Sequence, residues 1–188
     1  MSKLSDEILW KSIKDGDLNS FSILFKRFYP SLHSYGLKIS RDEVLTEDAL
    51  QDFFVYIYEH KENLSDLQSI APYLFASFRR FIIKRINKTQ KYTFVRHIDK
   101  NIVDISFTPE EFITKQESLT FRNKNLAKLI NQLPKRQKEV IYLKFNCNFK
   151  ANEIAETMGI NYQSVINTLH KAIKSLRDED DIVKLLNS

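Results

Sequence analysis

One cysteine, Cys147, stands among 188 residues. An internal disulfide is therefore excluded, and the expected compartment is the reducing cytoplasm. Three glycines and four prolines are too few for a collagen-like, loop-rich or disordered chain, and they leave few places where a helix must stop. No apolar run approaches the length of a membrane span. The opening MSKLSDEILWKSIKDGD is charged throughout, unlike a signal peptide or an anchor, so no membrane insertion is expected. His33, His60, His97 and His170 are scattered without companion ligands, which argues against a metal site. No cofactor motif, repeat of solenoid length or low-complexity tract is present. What remains, 43% hydrophobic residues at largely helical spacing, predicts an all-α fold of two small helical domains joined by an irregular linker.

In chain order, Ser5 is suited to cap a first helix that Gly16 ends. Asp17 is suited to cap a second, in which Phe21, Leu24, Phe25 and Phe28 form an apolar stripe and Pro30 imposes a kink or a restart. In EVLTEDALQDFFVYIYEH, Thr46 is the expected cap and Leu50, Phe53, Phe54 and Ile57 the buried face. Asp48, Gln51, Asp52, Val55 and Glu59 share the opposite face. From Asp42 to Asp66 eight acidic residues face one basic, Lys61. Such a face is either simply solvated or docks on a basic partner. The sign then reverses, with eight basic residues against Asp99 alone from Tyr73 to Lys100. Tyr73, Phe75, Phe78 and Phe81 are interleaved with these cations. Rings beside residues that track a phosphate backbone suit unpaired nucleic acid, although some of the rings must belong to the core.

Helical periodicity dissolves from about Lys91 to Lys115, and Thr108-Pro109 breaks any helix there. A surface linker is expected over 93–117, between a domain at 1–92 and another at 118–188. From Leu133 to Arg177 three helices are expected. Pro134 opens the first, with Val140, Ile141 and Leu143 on its inner side. The second carries Ile154, and Ala155 where a close crossing needs a small side chain. It ends at Met158 with Gly159 as the left-handed cap. Asn161 is suited to cap the third, where Val165, Leu169, Ala172 and Leu176 form one stripe. The last two helices read as a helix-turn-helix, which lays its final helix in the major groove of DNA. Two other readings exist. A stand-alone dimeric regulator would explain the helix-turn-helix but give the sided charge no purpose. A metal-dependent nuclease using Glu43, Glu47, Asp48 and Asp52 lacks a histidine or a second acidic cluster, so no catalytic residue and no enzyme activity are expected.

Taken in order, KDGDLNSFSILFKRFYP, TEDALQDFFVYIY, APYLFASFRRFIIKRI and LPKRQKEVIYLKF…EIAETMGINYQSV…LHKA resemble the extracytoplasmic-function sigma factors of bacterial RNA polymerase. The resemblance covers nearly the whole chain outside the linker. It implies transcription initiation with no covalent chemistry. The domain at 1–92 corresponds to sigma region 2, which binds core polymerase and melts the promoter. The domain at 118–188 corresponds to sigma region 4. Asp48, Gln51, Asp52, Val55 and Glu59 would meet the β′ clamp helices of core RNA polymerase, and the second domain would meet the β flap. Tyr73, Arg79, Arg80, Lys84, Arg85 and Lys88 would engage melted promoter DNA. Tyr162, Gln163, Ser164, Asn167, His170, Lys171 and Lys174 would contact the double-stranded upstream element. An anti-sigma factor or a DNA-bound recruiting protein is a further expected class of partner.

The departures from the family pattern matter as much. Tyr73 stands where tryptophan is usual, and Arg80 and Lys84 stand where asparagine and aspartate are common. Ile166 and Thr168 replace basic residues, so Asn161 to Leu169 carries no charge. Tyr162, Ile166, Leu169 and Ile173 form a second apolar stripe beside the buried one. An isoleucine cannot contact a phosphate and reads only a thymine methyl. Either the upstream contact is weakened and a recruiting protein offsets it by raising local concentration, or Gln163, Asn167, His170, Lys171 and Lys174 suffice to read the DNA.

Overall fold

The computed structural model describes residues 4–67, 69–90, 103–112 and 121–186. The chain divides into two compact units, one of residues 1–100 with Glu156–Gly159 and the other of residues 101–155 with 160–188. Among the described residues every regular element is helical. The unit at 1–100 contains α1 (Asp6–Lys14), α2 (Leu18–Ser40), α3 (Glu43–Glu59) and α4 (Ile70–Gln90). The unit at 101–188 contains α5 (Phe121–Gln132), α6 (Lys135–Phe145), α7 (Ala151–Met158) and α8 (Tyr162–Leu186).

Local sequence fixes the helix ends. The Ser5 hydroxyl accepts from the Ile8 amide at the start of α1, and Gly16 turns the chain out of that helix with φ +91°. The Asp17 carboxylate accepts from the amides of Asn19 and Ser20 at 3.0 and 3.1 Å, supplying partners that the first turn of α2 lacks. Two expectations change. α2 runs unbroken through Pro30. The amide that proline lacks would have met the carbonyl of Lys26, and both residues lie on the exposed side, where water can serve that carbonyl. α3 starts earlier than expected, capped by Asp42, whose carboxylate accepts from the Leu45 amide at 3.0 Å. Thr46 is then an interior, fully buried position whose hydroxyl donates to the Asp42 carbonyl at 2.7 Å.

Within the first unit α2 is the hub, packing against α1, α3 and α4. Its stripe of Leu24, Phe28, Leu32, Tyr35 and Ile39 meets Leu50, Phe53, Phe54 and Ile57 of α3 and Leu74, Phe78, Ile82 and Ile86 of α4. Phe21 and Phe25 are half-buried and edge onto Phe54, with ring centroids 6.2 and 4.8 Å apart. Gly36 falls in this stripe because the helices approach too closely for a side chain. A Cβ there would lie 2.8 Å from both Phe78 Cε1 and Thr46 Cγ2.

In the second unit Pro134 takes the cap position of α6, one residue earlier than expected. Val140, Ile141 and Leu143 are buried, as is Ile154 of α7. Ala155 is only half-buried. Gly159 ends α7 at φ +65°, where a Cβ would meet nothing within 4 Å; its conformation, not lack of space, calls for glycine. Asn161 caps α8 by accepting from the Ser164 amide at 2.7 Å. In α8, Val165 and Ala172 are fully buried, whereas Leu169 and Leu176 are half-buried.

The larger surprise lies in the expected linker. Its described part, 103–112, belongs to the second unit's core. Residues 103–108 carry no regular secondary structure, yet burial alternates along them, and Val103, Ile105 and Phe107 are each buried. The Asn131 side chain of α5 accepts from the Phe107 amide at 2.8 Å and donates to the Phe107 carbonyl at 2.9 Å. Lys138 of α6 donates to Asp104 at 2.6 Å, and the Phe107 ring sits edge-on to Tyr142. Thr108 and Glu111 then open a short 3-10 turn, Pro109–Phe112. The rest of the expected linker, with Arg96 and Lys100, lies outside the described residues, as does Lys91 just before it.

Candidate functional site

α3 presents the acidic face that its spacing predicts. Leu50, Phe53, Phe54 and Ile57 point inward, so Asp48, Gln51, Asp52, Val55 and Glu59 are all exposed. Val55 is 54% exposed, an apolar spot set among carboxylates.

On α4 the structure divides the predicted nucleic-acid residues. Arg80, Lys84 and Lys88 are exposed, Tyr73 and Arg85 half-buried. Arg79 is 4% exposed, which corrects its expected place on the DNA. Helical geometry gives the reason. Arg79 lies one turn from Phe75 and one turn from Ile82 and Ile83, all buried, so it points to the core side while Arg80 points out.

The outward residues gather in a groove of about 800 Å³ between α3 and α4. Tyr56, Tyr73 and Phe81 give it an aromatic lining, and Arg80, Lys84 and Lys88 supply its cations. The rings are held in place. Tyr73 meets the edge of Trp10 at 5.5 Å, and the Trp10 indole donates to the Ser65 carbonyl at 3.1 Å. Phe81 edges onto Phe53, and His60 stacks on Tyr56 at 4.1 Å. Arg80 donates to the Ser77 hydroxyl at 3.1 Å. Sequence reading missed Tyr56, which is 50% exposed and sits one turn beyond Asp52, at the border of the buried and acidic faces.

Acid and base expected on separate faces therefore share an edge. Arg85 donates to Asp52 through Nη1, and its Nη2 lies 3.9 Å from Asp48. Among the described residues no group of three or more histidine, cysteine, aspartate or glutamate side chains lies close enough together to hold a metal ion. No helix among them is long and apolar enough to cross a membrane.

In the second unit α8 exposes Tyr162, Gln163, Asn167, His170, Lys171 and Lys174, with Ser164 half-buried. Gln163 donates to the Asn167 side chain at 3.1 Å, so the two amides one turn apart are ordered together. Tyr162 and Ile173 are 56% and 42% exposed, while Ile166 and Leu169 are half-buried. The second apolar stripe is thus open at both ends and sheltered in the middle.

Known proteins agree with this architecture. The family model described as sigma-70, region 4 matches residues 123–176. The RNA polymerase sigma factor SigV of Bacillus subtilis is 25% identical over 138 residues, 73% of this chain and 76% of the relative. The ECF RNA polymerase sigma factor SigX of the same organism is 20% identical over 170 residues, 88% and 86% of the two chains. The sigma factor RpoE of Bartonella quintana, solved in complex with the anti-sigma factor NepR, shares the fold. Its TM-score is 0.61 at 17% identity, over 86% of this chain and 96% of that one. All-helical architecture among the described residues, a sigma-70 region 4 match over 123–176 and curated sigma-factor relatives across most of the length converge: the chain is similar to the extracytoplasmic-function sigma factors.

Proposed function

We propose that α3 docks on the β′ clamp helices of core RNA polymerase through Asp48, Gln51, Asp52, Val55 and Glu59. The groove beside it holds the separated promoter strand. In this reading the domain at 1–92 binds polymerase and opens DNA. The domain at 118–188, extended back to include 103–112, contacts the β flap and the upstream element. Extruding a base costs a few kcal/mol. Stacking on Tyr73 or Phe81, with phosphate contacts from Arg80, Lys84, Arg85 and Lys88, offsets that cost at about 1–3 kcal/mol per stacked base. Arg79 serves this surface from behind, as part of the α4 core. One observation carries the reading: an exposed acidic face with Val55 at its centre lies directly beside an aromatic groove ringed by cations.

Paired variants test it. Asp52→Lys is expected to abolish binding to core polymerase. Arg80→Ala with Lys84→Ala keeps that binding but loses permanganate-reactive thymines at the opened start site. Loss of polymerase binding in the groove variant overturns the assignment of faces.

For the upstream element, Tyr162, Gln163, Ser164, Asn167, His170, Lys171 and Lys174 form the contact surface. With Ile166 and Thr168 uncharged, this contact is weak, and a DNA-bound protein seated on the Tyr162–Ile173 stripe retains the domain at the promoter. An anti-sigma factor, of the kind bound to the Bartonella protein, is the other partner class. Strong upstream footprinting by holoenzyme alone, with no other protein, overturns the recruitment.

A further inference from the structure

The first turns of α8 carry two amides and no formal charge. Gln163 and Asn167 stand one helical turn apart, both exposed, and Gln163 Nε2 donates to Asn167 Oδ1 at 3.1 Å. That bond fixes which way the Asn167 amide faces. Its Oδ1 has a second lone pair and its Nδ2 has two hydrogens, so an acceptor and a donor lie side by side. The backbone beneath them is settled. Asn161 accepts from the Ser164 amide at 2.7 Å, and the Thr168 hydroxyl donates to the Ser164 carbonyl at 2.6 Å. Lys171 and Lys174 follow, both exposed, about 6 and 11 Å further along the helix axis.

We infer that Asn167 reads an adenine in the major groove, with Gln163 as its positioning residue, so that an A·T pair specifies this position of the upstream element. The inference rests on the reading of α8 given above and adds the base that α8 selects. A recognition helix brings its N-terminal residues to base edges, which assigns the amides to bases and leaves the later lysines to phosphates. Adenine alone offers a donor, N6, beside an acceptor, N7, the complement of one amide. Guanine offers two acceptors, and its O6 would be set against Asn167 Oδ1. Cytosine has only a donor there, and thymine only an acceptor and a methyl group. The common reader of guanine is a bidentate arginine or lysine, and neither occurs from Asn161 to Leu169. One bidentate pair corresponds to about 5- to 150-fold discrimination against the wrong base.

The test is selection by holoenzyme from a randomised duplex library at low salt, with core polymerase alone as the background. The enriched motif should contain one adenine whose preference Asn167→Ala removes while the rest of the motif stands. Gln163→Ala should weaken that preference without changing its base. Replacing the same adenine by 7-deazaadenine, which lacks the N7 acceptor, should weaken binding of the wild type by about fivefold or more. The same replacement should leave Asn167→Ala unaffected. A motif that Asn167→Ala leaves intact, or a 7-deazaadenine loss equal in both proteins, overturns the adenine assignment and spares the upstream contact. Holoenzyme that enriches no motif above the background overturns the upstream reading itself, and the adenine assignment with it.

Discussion

Replacing Asn131 with alanine tests whether the segment at 103–108 is truly part of the second unit. The wild-type side chain satisfies both polar groups of the Phe107 peptide, at 2.8 and 2.9 Å. Phe107 is itself only 3% exposed, so water reaches those groups poorly. Leaving a buried donor or acceptor unpaired costs about 1–3 kcal/mol, and the site is only partly buried, so the lower half applies. Two groups together give about 2–4 kcal/mol, a roughly 30- to 900-fold rise in local opening. Hydrogen exchange read by mass spectrometry on a peptide spanning 103–108 measures that opening directly. Wild-type amides there should be protected, and Asn131→Ala should speed their exchange by that factor while α2–α4 stay unchanged. Exchange at unstructured rates in the wild type, or no response to the substitution, would refute the argument. The Lys138–Asp104 bond would then be an incidental surface contact.

Gly36→Ala should destabilise the first unit by about 1–3 kcal/mol through overpacking against Phe78 and Thr46, seen as a lowered Tm in a thermal melt. Burial pushes the Cys147 thiol up to about 12. Its thiolate is therefore nearly absent at pH 8, and a disulfide reagent should label the native chain far more slowly than the denatured one. The Lys14 ammonium, by hydrogen bond and by charge, holds the Asp66 carboxyl below its usual range. That stabilisation is present above the ordinary aspartate range and fades as pH falls through the depressed value, so Asp66→Asn should flatten the acid limb of a stability–pH curve. Lys171, Lys174 and Arg177 are the exposed formal cations on the described part of α8. Binding of holoenzyme to a duplex upstream fragment should lose only about two to three units of log affinity per unit of log salt, and a slope near ten would refute the contact set.

The sequence revealed most where one interaction dominates. Ser5, Asp17, Gly159 and Asn161 end or begin helices because a local hydrogen bond or a positive φ decides the matter, and neither depends on distant residues. Thr46 misled for the opposite reason. Asp42 and Thr46 can both cap a helix, and only the packing of Thr46 against Gly36 shows which one is interior. Pro30 misled because its cost depends on whether a carbonyl one turn earlier is wet. The segment at 103–107 looks like surface linker in the sequence because a single buried stretch of alternating apolar residues has no helical period, and its partners, Asn131 and Lys138, lie 24 and 34 residues away. Among candidate site residues, face assignment on α3 needed only the 3.6-residue period. Arg79 needed more, since its long side chain can be placed in the core or in solvent from the same backbone position.

The shared edge between α3 and α4 changes what the charge counts mean. Read along the chain, strongly acidic and strongly basic blocks suggest two long-range fields, one for each partner. Folded, the blocks lie on adjacent helices, and from residue 42 to 88 eight acidic residues face six basic ones. Beyond about 10 Å, the screening distance at moderate salt, such a pair of helices acts as a near-neutral dipole. In the proposed reading DNA would therefore be drawn in only at short range and in one orientation, with the groove foremost and α3 turned away. A basic partner experiences the mirror of that preference. A domain with the same cations spread over all its faces would bind any duplex it met. If the groove holds DNA and α3 the polymerase, as proposed, the acids beside the groove would hold non-specific binding down, and α3 would contribute to DNA selectivity without touching DNA.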